Sequence, residues 1–550
     1  MSPIEWENLA SLLSLGTGLI AVVLLLLRLI PDAAIAATER AFHRCSDRPC
    51  ICGISLPVLS LAACLLITAQ KGIPQAEVHD EFSYLLAADT FAHGRITNPT
   101  PPFWEHFETP QQLMRPTYMS KYPPGQGIAL AIGQLMFGKP IVGAWLSTAA
   151  ASAAIYWMLL GFLPRSWALL GGIVAAIHPQ LLDWSQMYWG GSLTVVGAAL
   201  VIGAWGRLMI AGPTKAVAAM LAAGLIILAN TRPFEGLVLI APFLIPLAFR
   251  MPKHHRNLII FTGIPLLVTA VAMGYYNLRI TGHFWRLPYL EYARQYEIYP
   301  KFWFLPPGPM HTYRSSAMEF IHRYFELDAY SQFNSLAAAI FNTRYRLGLL
   351  FSTTISLAVL LLPVSAALCT KKEKRLVWIT IAVVTSAVAV WTEIFFYPHY
   401  LAPLFPAVLL LVIVGWKKVY SWNWRTRPLG RAIAQATFIG FVAGAVMCVY
   451  QPAIHDSFMV DQKTVIDELP VLQTGRHLIF VSYAPMHPVH WELVHNLSDL
   501  ENSRIIWARS LNQDDDQKAA EYFKGRQIWS LYVGGKLDLT RFYPVDSKSK

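Results

Sequence analysis

Residues 54 to 70 read Ile54-Ser55-Leu56-Pro57-Val58-Leu59-Ser60-Leu61-Ala62-Ala63-Cys64-Leu65-Leu66-Ile67-Thr68-Ala69-Gln70, without one charged side chain. A run of this kind suits a helix in the bilayer, whose hydrocarbon core is about 30 Å thick. On its N-terminal side Arg28, Arg40, Arg44 and Arg48 crowd one short link. Lys and Arg gather in cytoplasmic links, so the first span enters from outside and this one delivers 71-122 to the outer face.

The pattern repeats along the chain. Hydropathy predicts spans near 9-30, 54-70, 123-138, 141-162, 166-182, 192-211, 214-230, 234-250, 257-278, 347-365, 376-396, 398-416 and 432-451. Of 550 residues, 55% are apolar and 14% charged, with a mean hydropathy of +0.41; that excludes a soluble globular class. Lys plus Arg number 44 against 33 Asp plus Glu, a net charge of +11. The excess sits in short links rather than a basic stripe: Arg250, Lys253, Arg256; Lys371, Lys372, Lys374, Arg375; Lys417, Lys418, Arg425, Arg427, Arg431. Nucleic acid is therefore not the expected partner; the lipid bilayer is.

The expected fold class is an all-α polytopic membrane protein of about 12-13 transmembrane helices with a small C-terminal α/β extracytoplasmic domain. Its divisions are 1-53, an extra N-terminal span and cytoplasmic link; 54-451, the transmembrane domain with outer loops 71-122 and 279-346; and 452-550, the α/β domain. In the tail, strand-like runs fall at His477-Tyr483, Arg504-Arg509 and Gln527-Val533, with a helix opening at Asp514-Asp515-Asp516-Gln517 and closing near Gly525. One conflict of parity remains: the spans counted from 71-122 put 250-256 outside, against its charge. The short 123-138 run and the run broken at His178-Pro179 are the candidates for not crossing. Glu5 and Glu7, in place of a basic stretch, argue against a cleavable signal. The six cysteines imply no disulfide framework, and His43, Cys45, Cys50 and Cys52 match no common zinc spacing.

Charges at the rims of apolar spans are costly and so informative. By this topology they converge on the outer side: Asp80, Glu81 and Lys121 border the first outer loop, and Arg232, Glu235, Glu393 and His399 lie near outer ends of later spans. Glu235, one turn from Arg232, is placed to hold it. The loop opens Val78-His79-Asp80-Glu81-Phe82-Ser83-Tyr84-Leu85-Leu86, whose Phe82, Leu85 and Leu86 fit a helix lying in the interface. Asp80 also fits as the N-cap of that helix. At the loop's far end, Ser120-Lys121-Tyr122-Pro123-Pro124 precedes an apolar helix, where a cation ahead of free N–H groups suits an anion and a snorkelling lysine is the plainer alternative.

Asp80-Glu81-x2-Tyr84, then Lys121-x-Pro123-Pro124 before a helix, resembles the fold-C (GT-C) glycosyltransferases that use polyprenyl-phosphate sugars, such as protein O-mannosyltransferases and the aminoarabinose transferase of lipid A. Tyr397-Pro398-His399-Tyr400-Leu401-Ala402-Pro403-Leu404-Phe405-Pro406 resembles their Arg-Tyr-Leu-x-Pro-x-x-Pro segment, with His399 where arginine is usual. A second acidic residue frequent in these relatives has Asp183 as its counterpart at most. Trp184, Tyr188 and Trp189 beside it suit a sugar or lipid path, or an aromatic belt.

The resemblance implies a hexosyl or pentosyl transferase that moves a sugar from a polyprenyl-phosphate donor to a lipid, glycan or protein acceptor on the extracytoplasmic face of a bacterial inner membrane, with inversion. Asp80 is the expected base, with Glu81 beside it; Lys121, Arg232 and His399 are expected at the donor phosphate. Tyr84, Tyr122, Asp183, Tyr188, Trp189, Glu393 and Tyr400 are expected to line the substrate. A divalent cation is an open expectation, since the loop offers only Asp80, Glu81, Glu105 and Glu108 with His79 and His106. His487, His490 and His495 are expected on the surface. The alternative is a non-catalytic transporter or flippase of a lipid-linked or amphipathic solute, against which the acidic pair lies in a loop rather than at the midplane.

Overall fold

The structure, a computed structural model, describes residues 32–249, 256–353, 373–425, 427–450, 461–484, 487–488, 490–534 and 537–541. The predicted 9-30 span, most of 347-365, and Arg28, Arg250, Lys253, Lys371 and Lys372 lie outside the described residues. The protein is a polytopic helical membrane protein. Among the described residues seven helices are long and apolar enough to cross a bilayer: Pro49–Lys71, Ile141–Leu159, Ser192–Ala211, Arg256–Thr281, Lys374–Trp391, Pro398–Tyr420 and Leu429–Met447. Arg165–Ala176, Lys215–Thr231 and Pro233–Phe249 are shorter apolar helices.

The chain divides into two compact units, each gathered from three stretches. The first holds residues up to Pro74, Ile141–Ala270 and Phe333–Pro452. Its core is mainly apolar, with Ile155, Leu159, Ile202, Trp205, Ile413 and Trp416 buried together. Its surface is apolar as well: Leu267 and Val268 are exposed by 66% and 62%, which lipid tolerates and water does not. The predicted 166-182 span is broken as its proline required. Arg165–Ala176 ends, His178 accepts the Gln180 N–H at its ring, and Pro179–Ser185 begins.

Small residues let the backbones in this unit approach closely. A Cβ on Gly224 would meet the Gly197 carbonyl oxygen at 2.6 Å and Val201 at 2.9 Å, so helices Ser192–Ala211 and Lys215–Thr231 touch along a glycine seam. Gly224→Val is expected to cost about 1–3 kcal/mol by overpacking. Thermal unfolding in detergent checks it, with Gly444→Ala as the neutral control, since a Cβ at Gly444 meets nothing within 4 Å.

The second unit holds Gln75–Pro140, Val271–Gln332 and Ala453–Lys550. The predicted 123-138 span belongs to it, as the helix Pro124–Phe137 of 14 residues. At 1.5 Å per residue that is about 21 Å, too short for the hydrocarbon core. The tail forms a four-stranded sheet in the order Ile505–Arg509, His477–Tyr483, Gln527–Val533, Leu537–Arg541. The first three strands are parallel, with His477 opposite Ile505 and Gln527, and the last is antiparallel. The helix Gln513–Tyr522 is capped by the Asn512 side chain on the Asp515 N–H; the final strand and the helix Gln462–Glu468 escaped the sequence pattern. Phe480, Ile506, Ala520 and Phe523 of the tail share one core with Leu86, Phe107, Met114 and Tyr118 of the 71-122 loop.

Candidate active site

In the second unit the helix His79–Ala92 starts after Val78, whose extended backbone makes it the cap, and places Asp80 and Glu81 in the first turn. Negative charge is favourable there. The N-cap alternative for Asp80 is thereby corrected. Its carboxylate instead accepts the Tyr122 hydroxyl, and the Tyr122 ring stacks on Tyr84 with centroids 4.5 Å apart. Glu81 is buried and accepts the Glu77 N–H at 2.8 Å, closing the start of the helix on itself. The interfacial stripe is also corrected: Phe82 and Leu86 are buried within the unit rather than presented to lipid, because the tail covers that face.

Ser83 ties the helix to the far end of the loop, its hydroxyl 2.7 Å from that of Ser120 and donating to the Gln111 carbonyl at 2.6 Å. Next to Ser120, Lys121 is buried and its ammonium donates to Glu297 at 2.8 Å. The rings of Tyr289 and Tyr292 lie 4.7 and 4.5 Å from the same Nζ, a setting that holds a cation by its π faces. The lysine charge is thus balanced by Glu297, a partner that sequence spacing of 176 residues concealed. Around it, His322 bridges the Tyr292 hydroxyl at 3.0 Å and Glu326 at 2.6 Å. Tyr296 donates to Glu108 at 3.0 Å, and burial raises the Glu108 carboxyl above its ordinary range.

The carboxylates weighed for a cation are dispersed by these partners. Glu105 faces Arg314 at 3.6 Å, and His106 meets Asp516 at 3.1 Å. Among the described residues no three His, Cys, Asp or Glu side chains gather as a metal site requires.

Two tail histidines leave the surface expected of them. His495 stacks flat on Phe82, with centroids 3.8 Å apart, and His490 lies against His79. Burial lowers His495 to about 4. The unfolded chain therefore takes up a proton below about pH 6.5 that the fold refuses until about pH 4, so stability falls with falling pH across that window. The expected loss is up to about 2 kcal/mol at pH 5 relative to pH 7. Thermal unfolding of the full chain at the two pH values measures it, and His495→Phe is expected to remove that share.

The first unit gathers the remaining candidates. Arg232 follows Lys215–Thr231, with its guanidinium 3.6 Å from Glu235 and 4.6 Å over the Tyr400 ring. His399 is buried with its ring 4.9 Å from Tyr400 and 4.6 Å from Trp189. Residues far apart in sequence thus meet as one cationic and aromatic cluster. Tyr188 is committed elsewhere, donating to the Pro74 carbonyl at 2.9 Å. Asp183, exposed on Pro179–Ser185, accepts the Gln180 amide at 3.3 Å.

Glu393 is buried in the turn before His399. That turn is held by Arg346, which sequence reasoning missed. Its guanidinium donates to the carbonyls of Trp391 and Glu393 at 2.6 Å and of Ile394 at 2.8 Å. Arg344 and Arg346, a pair of arginines just ahead of an apolar run, were the available signal.

No family model and no curated protein matches the sequence. Solved structures do. The crystal structure of ArnT from Cupriavidus metallidurans in the apo state is 12% identical with a TM-score of 0.50, over 86% of this chain and 92% of that one. The Archaeoglobus fulgidus oligosaccharyltransferase, in a complex with Zn and sulfate, is 13% identical with a TM-score of 0.43, over 86% of this chain and 67% of that one. The likeness to ArnT shows the fold, which is of the GT-C kind that the sequence motifs resemble.

Proposed function

On that fold, we propose that the protein is an integral membrane glycosyltransferase that takes a sugar from a polyprenyl-phosphate carrier and passes it to an acceptor on the extracytoplasmic face of a bacterial inner membrane. One observation carries the reading: the two motifs of the outer loop, 42 residues apart, meet where Tyr122 donates its phenol to Asp80. That bond fixes the orientation of a carboxylate at a helix start, the positioning that a general base needs.

In the reaction, the acceptor hydroxyl gives its proton to Asp80 while its oxygen bonds to the anomeric carbon. The bond from that carbon to the phosphate oxygen breaks, and its electron pair leaves on the phosphate. One base and a phosphate that departs without a protein nucleophile give inversion. Within the first unit, Arg232 and His399, drawn together around Tyr400, suit a phosphate charge. Lys121 serves the same charge if Glu297 shares it.

The charge of the links supports this face. With the 14-residue helix Pro124–Phe137 not crossing, five crossings separate the 71-122 loop from 250-256: Ile141–Leu159, 165–185, Ser192–Ala211, Lys215–Thr231 and Pro233–Phe249. That odd count returns the basic 250-256 link to the face of the 28-50 link.

The test is native mass spectrometry of the full chain with undecaprenyl phosphate against an anionic phospholipid, followed by transfer assays with a panel of undecaprenyl-phosphoryl sugars. Selective carrier binding and turnover of one sugar are expected. Binding no better than the phospholipid, with no turnover, overturns the reading.

A further inference from the structure

We propose that His490, carried by the C-terminal tail, hydrogen-bonds the acceptor alongside Asp80, so that the tail supplies part of the acceptor subsite. The proposal rests on the glycosyltransferase reading above and adds to it a residue that the sequence assigned to the surface.

His490 lies at the start of the helix that bears Asp80. Its ring centroid is 5.5 Å from that of His79 and 5.6 Å from that of Phe325, which it meets nearly edge to face. The Asp80 carboxylate acts on the imidazole, raising a proton affinity that burial lowers. Its Nδ1 is buried, and among the described residues nothing hydrogen-bonds it. A buried ring nitrogen left unpaired costs free energy, and a ligand group that pairs it recovers that cost. A polar acceptor atom presented to Asp80 is such a group.

The surrounding frame is built rather than loose. Glu492 is buried in an ion pair with Arg509 and also accepts the Val494 N–H at 2.7 Å. His487 bonds the Trp491 carbonyl at 2.7 Å, and its ring stacks on Tyr483. Further along the chain the stacked pair Phe82 and His495 pins the same stretch to the Asp80 helix. Asp89 accepts the Ser498 N–H at 3.0 Å, and Thr109 donates to the Val494 carbonyl. A histidine held by these contacts keeps the geometry that positioning an acceptor demands.

The test uses the full-length protein with the undecaprenyl-phosphoryl sugar and acceptor that the wild type turns over. His490→Ala is expected to lower kcat/KM for the acceptor roughly 10- to 100-fold, with undecaprenyl phosphate binding unchanged and His490→Gln recovering part of the loss. An unaltered acceptor kcat/KM in His490→Ala, with Asp80→Asn inactive, overturns this proposal and leaves the glycosyltransferase reading standing. Parallel loss of carrier binding and thermal stability in both His490 variants marks a structural residue and overturns it also. An active Asp80→Asn, or a wild type that turns over no sugar of the panel, overturns the reading and this proposal with it.

Discussion

Asp80→Asn is expected to lower sugar transfer by about 10²- to 10⁴-fold, the usual contribution of a positioned general base. The substitution preserves size and leaves an oxygen to accept the Tyr122 hydroxyl, so the contact between the two ends of the loop survives. What it removes is the basic lone pair of a carboxylate. Helix stability changes little: Val78, not Asp80, is the cap, and Glu81 still supplies negative charge to the first turn. Expression, thermal unfolding and undecaprenyl phosphate binding are therefore expected to match the wild type while turnover falls. Retained turnover would remove Asp80 from the role of base. Glu81 is no ready substitute, because it is buried and engaged with the Glu77 N–H.

The second large effect concerns stability. Glu492→Ala is expected to destabilise the unit that contains the tail by about 3–5 kcal/mol, since it leaves the buried Arg509 guanidinium without its partner. It also leaves the Tyr483 hydroxyl proton and the Val494 N–H without the acceptor that Glu492 gives them. The double variant Glu492→Met with Arg509→Met removes both charges together and is expected to regain most of the loss, because a buried pair and an apolar pair of similar volume differ little. Thermal unfolding of the full chain, with limited proteolysis of the tail, measures both. A single variant as stable as the wild type would show that Arg509 finds water in its place.

The legible part of the site was its charge. Asp80, Glu81, Lys121, Arg232 and His399 stood out because ionisable groups beside apolar runs are costly and need a reason. Their partners were not legible. Lys121 meets Glu297 across 176 residues, and Arg346 spans 45 to 48 residues to the turn it caps. No local pattern carries such pairings. The misreading of Phe82, Leu85 and Leu86 has the same origin, since a helical apolar stripe fits lipid and protein equally well.

By itself the sequence determined that this is a polytopic membrane protein, where most of the described apolar helices run, and where three of the four described tail strands lie, because the 30 Å bilayer and the alternation of strands impress their periods on composition. It also carried the order of the motifs. Only the tertiary structure set the bounds of the helix Pro124–Phe137 at 14 residues and decided that Tyr122 holds Asp80 and that the tail shares a hydrophobic core with the first outer loop. Those are contacts between residues distant along the chain, set by how apolar surfaces and buried charges find partners in space, and local spacing does not encode them.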